Sequence, residues 1–317
     1  MSPAPFAFRG RDLAPGTRHH FELPAGRLPS GAEVHVPIDV LHGATAGPTI
    51  WLSGAIHGDE IVGVEIIRRA LEAVDETALG GTIVAVPVVN VFGFAAESRY
   101  LPDRRDLNRS FPGSPHGSLA SQLARLFLDE VVRLCELGID FHAGSGDRTN
   151  LSQIRCNMDD VETRRLALAF GAPVAIHSRP VKGTLRNTAL RMGKRCLLFE
   201  GGEPRRFNPR AVESGAAGTL RVLGALGMID SPPPPPQFPT RESRSTHWVR
   251  ASRGGIFRLE SRLGTQVERG QRLGVISGPS GREAKEVRAR VAGIVLGHAV
   301  SPLVHRGDAL VHIAELI

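Results

Sequence analysis

Two histidines and one glutamate have the types and the spacing to hold a metal ion. His57 and Glu60 lie three positions apart in the segment His57-Gly58-Asp59-Glu60, and a helical turn there would project both side chains to the same side. His142 lies far along the chain, at the end of another predicted strand and before small residues. Two imidazoles, one carboxylate and an open fourth position are the ligand set of a hydrolytic zinc site. We therefore predict that these three residues hold one zinc ion per chain.

Glu200 fits the chemistry of such a site. It follows the apolar run at 197–199, so it should lie at the end of a buried strand. A carboxylate in that place could act as a general base toward water and then protonate a leaving amine. Glu203, nearer to solvent, is the less favoured base. Asp140 stands two positions before His142 on the same strand face, and it is expected to orient that imidazole.

The segment 98–113 reads as a loop, because it contains prolines, a glycine and several charges. Its adjacent residues Asn108 and Arg109 could bind a substrate carboxylate, since an amide donor and a guanidinium fork match that group. A further arginine of the loop could polarise the scissile carbonyl and stabilise the oxyanion that develops from it. A solvated, charged loop without a catalytic part is the alternative interpretation. The catalytic interpretation predicts a small anionic substrate.

These residues need a framework that brings distant segments to one edge. Apolar runs alternate with helical patterns, and several runs are apolar on both faces, which is typical of an α/β domain with a mostly parallel sheet flanked by helices. In open parallel sheets, ligands bind beyond the carboxyl ends of the strands, and His57, His142 and Glu200 fall at or just past such ends. The predicted strands cover 33–40, 49–55, 82–89, 139–142, 173–177 and 196–200, and the predicted helices cover 61–74, 119–135 and 209–226.

The chain is predicted to contain two domains. Residues 1–228 form the α/β domain, and residues 229–246 form a linker that contains a run of five prolines. Residues 247–317 contain a two-fold repeat of short strands and glycine turns, which predicts a small all-β module. This module resembles the barrel-sandwich hybrid of biotinyl and lipoyl domains. It lacks their lysine hairpin, so a structural or lid role is expected.

Composition argues against several other classes of protein. The 39 basic and 32 acidic residues give a net charge of +7. The arginines are nevertheless spread along the chain and few aromatics are available for stacking, so we expect no nucleic-acid partner. No apolar run reaches the length of a membrane span, and no secretory signal is visible, so we expect a cytoplasmic protein with no membrane partner. The three cysteines have no CxxC spacing and should be reduced. The sequence is compatible with a monomer or a homo-oligomer.

The order of the motifs resembles that of the succinylglutamate desuccinylase/aspartoacylase family, which is related to zinc carboxypeptidases. The resemblance is specific over about residues 45–205 and continues loosely through the β-rich tail. It implies a zinc-carboxypeptidase-like fold and a one-zinc amidohydrolase that removes an acyl group from an N-acyl amino acid. The segments that carry the resemblance are His57-Gly58-Asp59-Glu60, Asp106-Leu107-Asn108-Arg109, His142 and Glu200-Gly201-Gly202.

The resemblance also implies a role for each matching residue. Arg99, which precedes Tyr100 as in the family, is the preferred carbonyl-polarising arginine, and Arg105 is the alternative. The zinc ligands would be His57, Glu60 and His142, the residues that bind the substrate carboxylate would be Asn108 and Arg109, and the catalytic carboxylate would be Glu200.

We therefore expect zinc-dependent hydrolysis of the amide bond in a small N-acyl amino acid or a related carboxylate-bearing amide. One alternative is a zinc carboxypeptidase that uses the same atoms on a peptide C-terminus. A second alternative, from another class, is a metal-stabilised binding module without catalysis.

Overall fold

The computed structural model describes residues 3–317. Within them lie six α-helices and nineteen strands. The helices are α1 (Val62–Glu72), α2 (Val91–Ala95), α3 (Leu119–Glu130), α4 (Val161–Phe170), α5 (Leu185–Arg191) and α6 (Pro209–Ala225). The strands are β1 (Phe6–Phe8), β2 (Arg11–Leu13), β3 (Thr17–Arg27), β4 (Glu33–His42), β5 (Thr45–Gly54), β6 (Gly80–Val86), β7 (Leu137–His142), β8 (Arg148–Cys156), β9 (Val174–His177), β10 (Arg195–Gly202), β11 (Arg241–Ser243), β12 (Ser245–Arg250), β13 (Gly255–Leu259), β14 (Gln266–Val267), β15 (Arg272–Ser277), β16 (Lys285–Arg288), β17 (Gly293–Ala299), β18 (Leu303–Val304) and β19 (Ala309–Glu315).

A large mixed sheet forms the centre of the molecule. Its main path runs β12-β19-β17-β8-β10-β7-β5-β6-β4-β3. The central strands β6, β5, β7 and β10 are parallel to their neighbours in this group, whereas β8 and β4 join antiparallel on either side. The parallel strands therefore end at one edge, which is where the candidate site lies.

Helices cover both faces of this sheet. Residues of β5 alternate between the faces: Ile50 and Leu52 pack with α1, α4 and α6, whereas Trp51 packs with α3 and α5 on the other side. Buried aliphatic and aromatic side chains fill both layers, since a parallel strand covered by helices must be apolar on each face. The predicted α/β class, with a mostly parallel sheet flanked by helices, is confirmed.

The C-terminal residues build a small β sandwich with its own core. Strands β16, β15, β13 and β18 form one sheet. Facing it are β12, β14, β17 and β19, which also belong to the large sheet. The core between the two sheets contains side chains such as Phe257, Leu273 and Val311. The predicted all-β module is thus present, and three of its strands continue the main path of the central sheet.

The region between the two parts is only partly a linker. The proline run at 232–236 has no regular secondary structure. The linker was predicted over 229–246, but residues 241–243 form β11, which pairs in parallel with β9, and residues 245–246 already belong to β12. Other local differences occur in the α/β part. The helix predicted over 119–135 ends at Glu130, because Val131 leaves helical geometry and a short 3₁₀ turn follows at Val132–Leu134.

All three cysteines are buried and unpaired with one another. Among residues 3–317, no helix combines the length and hydropathy needed to cross a lipid bilayer.

Candidate active site

A cavity of about 300 Å³ lies at the carboxyl edge of the parallel strands. His57 follows β5, His142 is the last residue of β7, and Glu200 lies near the end of β10. The turn after β5 passes through Ala55, whose φ of 46° is in the left-handed region. The fold therefore brings the three strand-end residues of the sequence analysis to one cavity.

His57, Glu60 and His142 form the floor of the cavity. Glu60 Oε1 lies 2.8 Å from His57 Nδ1, and Glu60 Oε2 lies 2.8 Å from His142 Nδ1. One ligand atom from each residue falls within 4.8 Å of the others. All three side chains are almost fully buried. A single ion at their centre would be within reach of two nitrogens and one oxygen.

A carboxylate lies next to the second ring nitrogen, Nε2, of each imidazole. Asp140 Oδ2 lies 2.9 Å from His142 Nε2, and Ser53 Oγ donates to the other oxygen of Asp140 at 2.8 Å. Asp106 Oδ1 lies 3.2 Å from His57 Nε2. A metal-ligating histidine ordinarily has such a partner on its second nitrogen, which fixes the tautomer and aims the first nitrogen.

The floor of the cavity pairs carboxylates with imidazoles and one guanidinium. Burial alone would raise the pKa of Asp106, but the hydrogen bond and charge of His57, together with Arg99, hold that pKa well below its usual range. Burial alone would likewise lower the pKa of His142, yet Asp140 and Glu60 raise it well above its usual value. Three carboxylates thus favour protons on the two imidazoles, and a bound metal cation would take the place of those protons.

The donor set fits zinc. His57 Nδ1 is buried and has no hydrogen-bond partner, although Glu60 Oε1 is only 2.8 Å away. The two atoms are close without being aimed at each other, as expected for two ligands that point at a shared ion. Two neutral imidazoles and one carboxylate also match the ligands that zinc takes in hydrolytic sites.

The loop residues of the sequence analysis divide into two groups. Arg99 lines the cavity, where it donates to Glu60 Oε1 at 3.1 Å and to Asp106 Oδ2 at 2.8 Å. Asn108 and Arg109 also line the cavity. The Asn108 Oδ1 atom accepts from the backbone of Leu185 at 2.9 Å, which fixes the amide. Arg105 is exposed and does not line the cavity.

The two glutamates at the end of β10, Glu200 within the strand and Glu203 just after it, have different surroundings. Glu200 lines the cavity and accepts a hydrogen bond from Asn150 Nδ2 at 2.8 Å. Glu203 lies outside the cavity lining and accepts hydrogen bonds from Thr149 and Asn208. Glu200 therefore shares the cavity with His57, Glu60 and His142, whereas Glu203 does not.

Several cavity residues were missed by the sequence analysis. Trp248 of β12 and His312 of β19 stack with ring centroids 4.4 Å apart and an interplanar angle of 4°. The sequence analysis gave His312 no part in a site, but its ring forms one wall of the cavity. Burial, with the positive charges of Arg155 and Arg148, lowers the pKa of His312 to about 3, so its imidazole is neutral. No local motif marked these positions, because they reach the cavity through strand pairing across the whole sheet.

Five arginines give the cavity a positive lining. Besides Arg99, the walls contain Arg109, Arg148, Arg155 and Arg186. Arg148 lies over the Trp248 ring, 5.2 Å from its centroid. Arg186 is buried and donates to Ser178 Oγ at 2.8 Å. A lining of this kind favours substrates that carry negative charge.

Comparisons with known proteins agree with this geometry. The sequence model of the succinylglutamate desuccinylase/aspartoacylase catalytic domain matches residues 46–226, more than half of the chain. The chain is 29% identical to N-alpha-acetyl-L-2,4-diaminobutyric acid deacetylase of Halomonas elongata, over 99% of this chain and 96% of that protein. Among solved structures, a succinylglutamate desuccinylase/aspartoacylase from Rhodobacter sphaeroides is similar with a TM-score of 0.84 and 29% identity, covering 95% of this chain and 96% of that chain. The product-bound ectoine utilization protein EutE (DoeB) from Ruegeria pomeroyi is similar with a TM-score of 0.84 and 25% identity, covering 94% and 95% of the two chains.

Proposed function

This chain belongs to the succinylglutamate desuccinylase/aspartoacylase family, and from that premise we propose that it is a zinc-dependent deacylase of small N-acyl amino acids. One observation carries the proposal: the buried group of His57, Glu60 and His142 opens into the same cavity as Glu200 and Arg109. The relative from Halomonas elongata is named for removal of an acetyl group from an amino acid. The same class of reaction fits this cavity.

His57, Glu60 and His142 would hold the zinc ion. When bound there, zinc would polarise the scissile carbonyl and make an attacking water more acidic. Asp140 and Asp106 keep the two imidazoles oriented through their second nitrogens. The protein's contribution at the floor is therefore a rigid and buried ligand set.

Glu200 is the group that moves protons. Its carboxylate lies in the cavity wall and is held by Asn150 through one oxygen. It takes a proton from the attacking water as the new C–O bond forms, and it then delivers that proton to the leaving nitrogen as the C–N bond breaks. The products are a carboxylic acid and a free amine.

Arg99 and the Asn108–Arg109 pair bind the two polar ends of the substrate. The guanidinium of Arg99 lies beside Glu60, where it can stabilise the negative charge that develops on the carbonyl oxygen. The fixed amide of Asn108 and the neighbouring guanidinium of Arg109 match a substrate carboxylate. Both interactions can form at once only if the substrate is a small molecule that fits within the cavity.

The size of the cavity favours a deacylase over a carboxypeptidase. Trp248 and His312 form a wall from the C-terminal strands, and the volume of about 300 Å³ suits a small molecule. The positive lining also suits an anionic N-acyl amino acid.

A substrate panel tests the proposal. N-acetyl-, N-formyl- and N-succinyl-amino acids are compared with dipeptides and longer peptides, before and after treatment with a chelator. We expect chelator-sensitive hydrolysis of the N-acyl amino acids, with kcat/KM at least about 100-fold above that for tripeptides. Faster cleavage of peptides would favour the carboxypeptidase, and a protein that binds zinc but hydrolyses nothing would favour the binding module.

Glu200→Gln provides the matching test of the catalytic carboxylate. The variant should retain zinc and lose about 10³-fold in kcat, because the amide cannot accept the proton. Glu203→Gln is the control, since that glutamate lies outside the cavity lining. Equal activity of Glu200→Gln and the wild type would remove Glu200 from its proposed role.

A further inference from the structure

Strand β8 connects the C-terminal strands to the proposed catalytic carboxylate. One edge of β8 pairs with β10, and its other edge is divided between β9 and β17. Asn150 of β8 lies opposite Gly202 of β10 on one side and opposite Gly297 of β17 on the other. Asn150 thus stands where the α/β part and the C-terminal β sandwich meet in one sheet.

The side chain of Asn150 donates a hydrogen bond to Glu200. Its Nδ2 donates to Glu200 Oε2 at 2.8 Å, and Asn150 is 9% exposed. This hydrogen bond holds one carboxylate oxygen in place, which restricts rotation of the carboxyl group and leaves the second oxygen for the substrate side. A carboxylate that must accept and then release a proton at defined atoms depends on such orientation.

Gly297 makes room for that side chain. A Cβ atom at position 297 would lie 2.6 Å from Asn150 Oδ1 and 3.0 Å from the carbonyl oxygen of Thr149. The backbone at 297 is not in the left-handed region, so glycine is needed there for space and not for conformation. Any larger residue would push the amide of Asn150 away from its present position.

We propose that Asn150 is a positioning residue for Glu200, and that Gly297 of the C-terminal strand β17 determines where its amide lies. The inference rests on the proposed function, since it takes Glu200 as the catalytic carboxylate. It gives the C-terminal part a role in catalysis: β17 sets the packing on the far side of Asn150, and Asn150 orients the carboxylate in the cavity.

Kinetics of single variants test the first half of the proposal. Asn150→Ala should lower kcat by about 10- to 100-fold while KM changes by less than about threefold. Thr149→Ala is the matched control, because it removes a hydrogen bond from the same strand to Glu203, which lies outside the cavity lining. Thr149→Ala should retain wild-type kcat. A raised KM with an unchanged kcat in Asn150→Ala would instead make Asn150 a substrate contact and overturn the proposal.

Gly297→Ala tests the second half without touching the cavity. We expect the same fall in kcat as in Asn150→Ala, with zinc content and the thermal unfolding midpoint close to wild type. The double variant Asn150→Ala/Gly297→Ala should be no worse than Asn150→Ala alone, because the added methyl group then has no amide to displace. If the two substitutions lowered kcat independently, so that their losses multiplied in the double variant, Gly297 would not act through Asn150. That result would overturn the proposed role of Gly297.

A third comparison separates this proposal from the proposed function. In a Glu200→Gln background, Asn150→Ala should cause no further loss of kcat, since the carboxylate that it orients is gone. If Glu200→Gln itself keeps full activity, the proposed function is wrong about the catalytic carboxylate. If Glu200→Gln is inactive but Asn150→Ala and Gly297→Ala are both fully active, the positioning role alone is refuted.

Discussion

Arg109 lies exposed at the rim of the cavity and donates to the carbonyl oxygen of Asn108 at 2.7 Å. If it binds the substrate carboxylate, Arg109→Ala should raise KM by about 10- to 100-fold, because a charged hydrogen bond contributes roughly 1.5–3 kcal/mol. The value of kcat should change little, since this interaction is made equally in the bound substrate and in the transition state.

Steady-state kinetics on one N-acyl amino acid would check this prediction. Arg109→Lys should recover only part of the affinity, because an ammonium lacks the planar fork of a guanidinium. An unchanged KM in Arg109→Ala would place the carboxylate elsewhere in the cavity, with the buried Arg186 as the next residue to test.

At the scale of residues, the sequence predicted those site residues that lie together in one short segment or directly after a buried strand. His57 and Glu60 share one short segment, and Glu200 follows an apolar strand, so spacing and periodicity were sufficient to single them out. Trp248 and His312 could not be found in this way. Their place in the cavity depends on pairing between β17 and β8, which brings together segments more than a hundred positions apart.

Gly58 shows how one element positions another. It lies between the two ligands of the His57–Glu60 turn, and a Cβ atom there would come within 2.0 Å of the Gly93 carbonyl carbon in α2. The turn and the first residues of α2 are therefore in direct backbone contact. Gly58→Ala should force them apart, reduce zinc affinity and lower the free energy of unfolding by about 1–3 kcal/mol or more.

Denaturant unfolding and zinc binding would be measured for Gly58→Ala beside Gly278→Ala. Position 278 is a suitable control, because a Cβ there would meet no atom nearer than 3.9 Å. Gly278→Ala should behave as wild type in both measurements. Normal zinc affinity in Gly58→Ala would show that the turn can move without disturbing its ligands.

Elements with a clear apolar period were predicted well, and irregular ones were not. Helix α6 was predicted over 209–226 and is observed at Pro209–Ala225. Strand β8 was not predicted, because its polar residues interrupt the alternation that marks a half-buried strand. Its side chains instead line the cavity or donate hydrogen bonds to Glu200 and Glu203 at the end of β10. The apolar alternation that predicts a strand is therefore missing from β8 because its polar side chains line the cavity.

At the scale of the whole molecule, the two parts share one sheet and one small core. Ile294, Leu296 and Ala314 of the C-terminal strands pack with Val174 and Ile176 of β9. Because this contact is apolar and buried, we expect calorimetry to show a single cooperative unfolding transition and not two. Two separate transitions would mean that the C-terminal sandwich is independently stable.

Substitution in the shared core should affect the whole molecule. Leu296 is fully buried, so Leu296→Ala should lower the free energy of unfolding by about 2–5 kcal/mol and shift the single transition as a unit. Leu303→Ala is the control, since that side chain is 67% exposed. If Leu296→Ala shifted only part of the calorimetric transition to lower temperature, the two parts would not unfold as one unit.

Zinc titration of the chelator-treated enzyme tests the central claim most directly. Hydrolysis of an N-acyl amino acid is followed while zinc is added in fractions of one equivalent per chain. The buried ligand group of His57, Glu60 and His142 predicts no activity without metal, a linear rise, and saturation at one equivalent. Full turnover in the metal-free enzyme, or activity that does not saturate at one equivalent, would contradict the assignment.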